Sequence, residues 1–123
     1  MIISGYARTG KTTYAKRLAK ENRVTLRHTD DTIGDDFREA IEQVVKWLDE
    51  PGPWIIEGCT AVHAVRKWCE RNPQGKPCDV FEFRTHPFLA LSEGQVRQAK
   101  GLVTAFNRCL PHLVDRGAAV VRE

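Results

Sequence analysis

The chain predicts an α/β fold in three layers, one parallel sheet of five strands with helices on both faces. Three observations lead there. Strand-like and helix-like stretches alternate four times and close on a fifth strand, the pattern of parallel strands joined by right-handed crossovers. The strand-like stretches are short and continuously apolar, as in Trp54-Ile55-Ile56, which suits burial on both faces. The first of them runs into Gly5-Tyr6-Ala7-Arg8-Thr9-Gly10-Lys11-Thr12, a G-x-x-x-x-G-K-[ST] phosphate-binding loop. That motif needs a strand before it and a helix after it.

Each element can be justified in order. Met1-Ile2-Ile3 is a short apolar strand, and residues 14–20 are strong helix formers after the loop. A turn at 21–23 leads to a β-prone stretch, 24–29, which ends at Asp30-Asp31; Thr32-Ile33-Gly34 reads as a loop. Phe37, Ile41, Val44, Val45 and Leu48 recur at helical spacing, so 35–50 forms an amphipathic helix with Asp35 and Asp36 at its N-terminus. Pro51-Gly52-Pro53 stops it. Strand 54–58 follows, and Thr60 can cap a helix whose inner face is Ala61, Val65 and Trp68. Residues 72–77 break that helix, and 79–84 is the fourth strand. Ser92 and Gln95 make a capping box for a long helix with its apolar stripe at Val96, Ala99, Val103, Phe106, Leu110 and Leu113. Pro111 should kink it, Gly117 ends it, and 118–121 is the last strand.

Length and composition set bounds. A chain of 123 residues reads as one domain, 1–123, large enough for a proper core. A net charge of +3 is too weak to imply nucleic-acid binding by itself, but it suits an anionic ligand. No apolar run approaches a membrane span and no secretory signal is legible, which predicts a cytoplasmic protein with no membrane partner, a monomer or small homo-oligomer. Four cysteines without a C-x-x-C read as free thiols. Cys59/His63 and Cys109/His112 are helically spaced pairs, but each lacks the third and fourth ligands of a zinc site.

The loop's chemistry follows from its residues. The glycines let the backbone turn where a Cβ would clash, so the N–H groups of Gly5, Ala7, Arg8, Thr9 and Gly10 can converge on phosphate oxygens. The helix start adds unpaired N–H groups and a positive dipole end. Lys11 reaches the β and γ phosphates, Thr12 offers its hydroxyl to Mg²⁺, and the Thr13 N–H serves the α phosphate.

Ligands of such sheets bind beyond the carboxyl ends of the strands, which puts the loop, Asp30-Asp31, Glu57-Gly58 and Arg84 on one rim. Mg²⁺ needs a carboxylate, and Glu57 or Asp31 can supply it. Adjacent residues point in different directions, so one of Asp30 and Asp31 faces the site, and Asp30 is the preferred base for an acceptor hydroxyl. Arg97 and Lys100, three apart on one helix face, are the candidates to cover the phosphoryl charge; residues 86–91 before them form a short lid. Arg66, just behind Glu57-Gly58, can contact the acceptor alongside Asp30.

Through GYARTGKTT, HTDD after the second strand, WIIEG at the third and the lid-like stretch before an Arg/Lys-bearing helix, the chain resembles the P-loop kinases of the nucleotide and small-molecule type, including polynucleotide-kinase-like, zeta-toxin-like and shikimate-kinase-like branches. The resemblance implies the three-layer P-loop NTPase fold with strand order 2-3-1-4-5, Mg-ATP as donor and a hydroxyl or phosphate acceptor. It also carries the role of base to Asp30. The chain departs from the pattern at Ile33, where the polynucleotide and toxin branches have arginine, and in a lid that is not arginine-rich.

The leading expectation is therefore an ATP-dependent kinase whose partners are a nucleoside triphosphate and an unidentified acceptor. A non-catalytic or regulatory ATP-binding protein is the alternative. A GTPase-like switch is disfavoured: the D-x-x-G of residues 31–34 comes too early and no N-K-x-D is present. An oligomeric remodelling ATPase would need an extra helical domain. The basic run Arg66, Lys67, Arg71 and Lys76 leaves open a nucleic-acid acceptor, although such runs are commonly a solvated helix face.

Overall fold

The computed structural model describes residues 1–31 and 36–123. The expected loop Thr32-Ile33-Gly34, the D-x-x-G string it completes and Asp35 fall outside them. The chain order is β1 (Ile2–Gly5), α1 (Lys11–Asn22), β2 (Thr25–His28), a 3-10 turn (Thr29–Asp31), α2 (Phe37–Asp49), β3 (Trp54–Glu57), α3 (Ala61–Arg71), β4 (Val80–Arg84), α4 (Glu93–Asp115) and β5 (Ala119–Arg122). The strands form one parallel sheet in the order β2-β3-β1-β4-β5, as expected.

Both faces are covered, which explains the apolar continuity of the strands. Successive side chains point to opposite faces. Ile2 and Ile3 are both fully buried, Ile2 among α2, α3 and α4, and Ile3 with Ile55 against Ala15 and Ala19 of α1. The larger layer holds a ring stack in which Phe106 of α4 lies parallel to Phe83 at 4.3 Å and beside Phe81 at 5.9 Å. Pairs of this kind add about 1 kcal/mol each beyond their burial. Trp68 lies in this core and donates its indole N–H to Asp49. Among the described residues no helix is long and apolar enough to cross a membrane.

The ends of α2 and α4 follow local chemistry, and the start of α3 departs from it. Asp36 caps α2 by accepting from the Arg38 N–H. Ser92 and Gln95 form the expected capping box, and α4 continues past Pro111 to Asp115. It closes at Gly117, where the Ala118 N–H reaches the Leu113 carbonyl and the Gly117 N–H that of Val114. Thr60 does not cap α3: its backbone is already helical, and its side chain makes no cap bond. A cap needs extended geometry to turn its oxygen onto the next amides. Here the turn closes on the backbone instead, with the Ala61 N–H bonded to the Gly58 carbonyl.

Gly5 fixes the sheet under the phosphate loop. Its φ is 131°, and a Cβ there would stand 2.1 Å from the Arg84 carbonyl oxygen of β4. That carbonyl accepts the Tyr6 N–H at 2.8 Å, so the loop leaves the sheet pressed against its neighbour. Gly5→Ala is expected to cost about 3 kcal/mol in urea unfolding, from backbone strain and overpacking together; a loss under about 1 kcal/mol would mean that β4 yields easily.

Glu42 links α2 to α3, accepting both guanidinium nitrogens of Arg71 at 2.7 and 2.8 Å and facing Lys67 at 3.0 Å. Arg71 first, then Lys67, hold its carboxyl at about 2, below the ordinary 4.5. A depressed carboxyl stabilises fully above its unfolded value and loses that contribution as pH falls through its folded value. Glu42→Gln is thus expected to melt below the wild type at pH 7. The gap should close between pH 4.5 and 2 and shrink in high salt. Melting curves that differ equally at every pH would refute this.

Candidate functional site

The loop from Gly5 to Thr12 joins β1 to α1. Gly10 has φ 78° with nothing within 4 Å of a Cβ, so the backbone hand is what demands glycine there, not the clash expected from the sequence. The clash is real at Gly5. Inside the loop the Tyr6 carbonyl accepts both the Thr9 hydroxyl at 3.1 Å and the Lys11 ammonium at 2.6 Å. Lys11 and Thr9 are buried; Arg8, Thr12 and Thr13 are exposed, and Ala7 is half-buried. No side chain caps α1 and no acid lies in its first turn. Its amide donors and dipole are left available to an anion.

Glu57 is the centre of the rim. It ends β3, is only 3% exposed, and accepts two bonds on one oxygen, Oε1: the Thr12 hydroxyl at 3.0 Å and His28 Nδ1 at 2.6 Å. His28 ends β2 directly opposite Glu57 in the sheet register. The hydroxyl and carboxylate oxygens of Thr12 and Glu57 suit Mg²⁺, which takes few protein ligands and keeps phosphate and water oxygens for the rest. Among the described residues there is no group of three His, Cys, Asp or Glu arranged to hold a metal on its own.

Asp30 and Asp31 lie in the 3-10 turn after β2, and both are exposed. Asp30 is near enough to act on the Cys59 thiol. Burial pushes that thiol up, Lys11 beside it pulls it down, and Asp30 adds a smaller upward push. Cys59 thus feels the charge of both the loop lysine and Asp30. It also forms the wall of a cleft of about 210 Å³ with Phe37, Thr60, His63, Arg97 and Leu102. Phe37 was expected in the core; it is 59% exposed and stands edge-to-face with His63 at 5.4 Å. Burial, then Arg66, pushes the His63 imidazole below its ordinary value, toward the neutral form.

The candidate cations separate. Arg97 lines this cleft, whereas Lys100 lines an apolar hollow of about 400 Å³ with Tyr6, Leu91, Val96 and Val103. Neither has an acidic partner among the described residues. Arg66 pairs with Glu70 at 3.3 Å and lines a neighbouring groove with Ile41, His63 and Lys67. Arg84 pairs with Glu82 and Glu123 and lies over the Tyr14 ring. The basic run 66–76 is engaged throughout: Lys67 and Arg71 with Glu42, and Lys76 with Asp79. The lid-like stretch is tied to the loop, since the Phe88 N–H meets the Arg8 carbonyl at 2.8 Å and Arg8 Nη1 donates to the Ala90 carbonyl.

Sequence reasoning missed His28, Phe37 and Cys59 as parts of the site. His28 had a signal: once β2 lies beside β3, their last residues are neighbours. Phe37 had none, because its spacing matches the buried stripe of α2.

A parallel sheet of order 2-3-1-4-5 in three layers, with a G-x-x-x-x-G-K-T loop after its first strand, defines a P-loop kinase-like fold. The chain is similar in structure to shikimate kinase from Bacteroides thetaiotaomicron, with a TM-score of 0.52 and 15% identity over 98% of this chain and 83% of that one. At that identity the likeness is one of fold. No protein-family model matches the sequence, and no curated protein matches it.

The Cys59 environment makes a checkable statement. With its thiol raised, alkylation by iodoacetamide at pH 8 should be slower than that of an exposed cysteine and should accelerate as pH rises above the ordinary value of 9. Peptide mass spectrometry across pH measures this; fast labelling already saturated at pH 8 would contradict the burial that shifts the thiol.

Proposed function

We propose that the chain is a phosphotransferase that moves the γ-phosphate of Mg-ATP to a hydroxyl, or a phosphate, of a small molecule, nucleotide or polynucleotide end. The observation that carries this reading is the convergence at one rim: a G-x-x-x-x-G-K-T loop, a buried carboxylate bonded to the loop's threonine, and a cleft whose wall, Cys59, feels the charge of both Lys11 and Asp30. The likeness to shikimate kinase supports it through the fold. The ion pairs of Arg66, Lys67, Arg71 and Lys76 favour a small acceptor over a nucleic-acid end, because a basic run already matched with acids offers little to a phosphate backbone.

This reading gives each group a role. The loop amides and the start of α1 hold the phosphates. Lys11 exchanges the Tyr6 carbonyl for β- and γ-phosphate oxygens. Thr12 and Glu57, with Asp31 as the other candidate, would hold Mg²⁺, which when bound neutralises charge on the β and γ phosphates. Asp30 accepts the proton of an acceptor hydroxyl brought to the rim, and Arg66, from the groove beside the Cys59 cleft, contacts that acceptor. Arg97, and Lys100 from the neighbouring hollow, offset charge on the moving phosphoryl group. Phosphoryl transfer asks mainly for positioning and charge, and these groups supply both.

A nucleotide-binding protein without transfer activity is the second reading. It is favoured by the engagement of Arg66 and Arg84 with carboxylates, which leaves few free cations at the rim.

Transfer from γ-labelled ATP to a panel of small alcohols, nucleosides, nucleotides and oligonucleotides separates the two. A labelled acceptor is expected; tight ATP binding with no acceptor labelled would leave the second reading. Asp30→Asn should keep ATP affinity and lose about 10²–10⁴-fold in transfer. Lys11→Ala should lose ATP binding itself, read by calorimetry.

A further inference from the structure

We propose that His28 is a positioning residue for Glu57: it pins one carboxylate oxygen and thereby presents the other to the cation that accompanies a nucleotide's phosphates. This rests on the reading of the loop as a Mg-nucleotide site. His28 belongs to none of the loop's own residues and comes from the strand on the far side of β3. The sheet register sets the two side by side, so no loop has to be ordered to bring them together.

Both protein donors converge on the same oxygen. His28 Nδ1 lies 2.6 Å from Glu57 Oε1, and the Thr12 hydroxyl lies 3.0 Å from that oxygen. An ionised carboxylate only accepts, so toward it the imidazole serves as donor through the Nδ1 tautomer. The other oxygen, Oε2, takes no hydrogen bond among the described residues. It is the carboxylate oxygen left without a protein donor there, on a side chain that is 3% exposed. A hydroxyl alone cannot impose this. The Thr12 side chain rotates and can follow either oxygen, whereas the rigid ring of His28, fixed at a strand end, cannot. Without it the carboxylate is free to turn, and Thr12 donates to whichever oxygen comes round.

A purely structural alternative exists, in which the bond only offsets the cost of burying Glu57. The two differ in what they do to magnesium. An outer partner that orients a ligand typically changes metal affinity by about 10–100-fold on mutation. Asn and Gln substitutions separate the effects, since an Asn amide nitrogen can stand near the place of Nδ1 whereas that of Gln stands near Nε2.

The experiment titrates Mg²⁺ against the full chain and the fluorescent nucleotide N-methylanthraniloyl-ATP, with EDTA as the metal-free reference. His28→Gln is expected to need about tenfold more Mg²⁺ for half of the magnesium-dependent gain in binding, with metal-free binding unchanged. His28→Asn is expected to retain the wild-type magnesium dependence. A His28→Gln titration that overlays the wild type overturns the proposal. So does an equal loss of binding in EDTA and in Mg²⁺, which is the structural outcome. Wild-type protein that binds no nucleotide, or binds it alike with and without Mg²⁺, overturns the parent reading of the site and this role with it. A magnesium-dependent wild type with an unaffected His28→Gln overturns this role alone.

Discussion

A carboxylate buried at the meeting point of three elements is the constraint on which the rest of the site depends. Glu57 ends β3 almost wholly out of solvent, and a buried charge is costly unless donors surround it. The two donors come from elsewhere: Thr12 from the first turn of α1 and His28 from the end of β2. The end of the loop at α1, strand β3 and edge strand β2 are therefore held to one another through a single oxygen atom. A shift of α1 along the sheet, or of β2 against β3, would leave that charge with one partner fewer. This is how a four-residue strand at the sheet's edge acquires a fixed relation to a loop two strands away.

The opposite side of the loop is held by backbone. Tyr6 bonds to the Arg84 carbonyl, and Gly5 leaves no room for a side chain against β4. Arg8 then holds residues 88 and 90 through its own carbonyl and guanidinium. The loop is thus supported from β3 by side-chain chemistry and from β4 by main-chain chemistry. Substitutions on the first side act on charge and orientation. On the second they act on the shape of the sheet itself.

Much of the fold was legible because its signals are local. The loop motif, the proline stop at 51–53, the Ser92 capping box and the Gly117 terminus each lie within a few residues, and each appears where the chain predicted it. Strand order came from resemblance to known kinases. The errors lie where long-range packing decides. Phe37 has the periodicity of a core residue but stands at the end of α2, where the stripe runs out into a cleft. Thr60 is a good capping residue by type, but the close turn at Gly58 had already made its backbone helical. Arg97 and Lys100 share a helix face in the sequence, yet α4 divides two hollows and gives one residue to each. The contact of His28 with Glu57 depends on register across two strands, which no single stretch of sequence contains.

Lys11 brings out a different property of the loop. Its ammonium is satisfied by the Tyr6 carbonyl at 2.6 Å and is nearly closed off from water. The same carbonyl takes the Thr9 hydroxyl, so the first residue after β1 gathers both side chains. The loop therefore carries its own brace: its two ends are tied by one charge-assisted bond that needs no neighbour from the sheet.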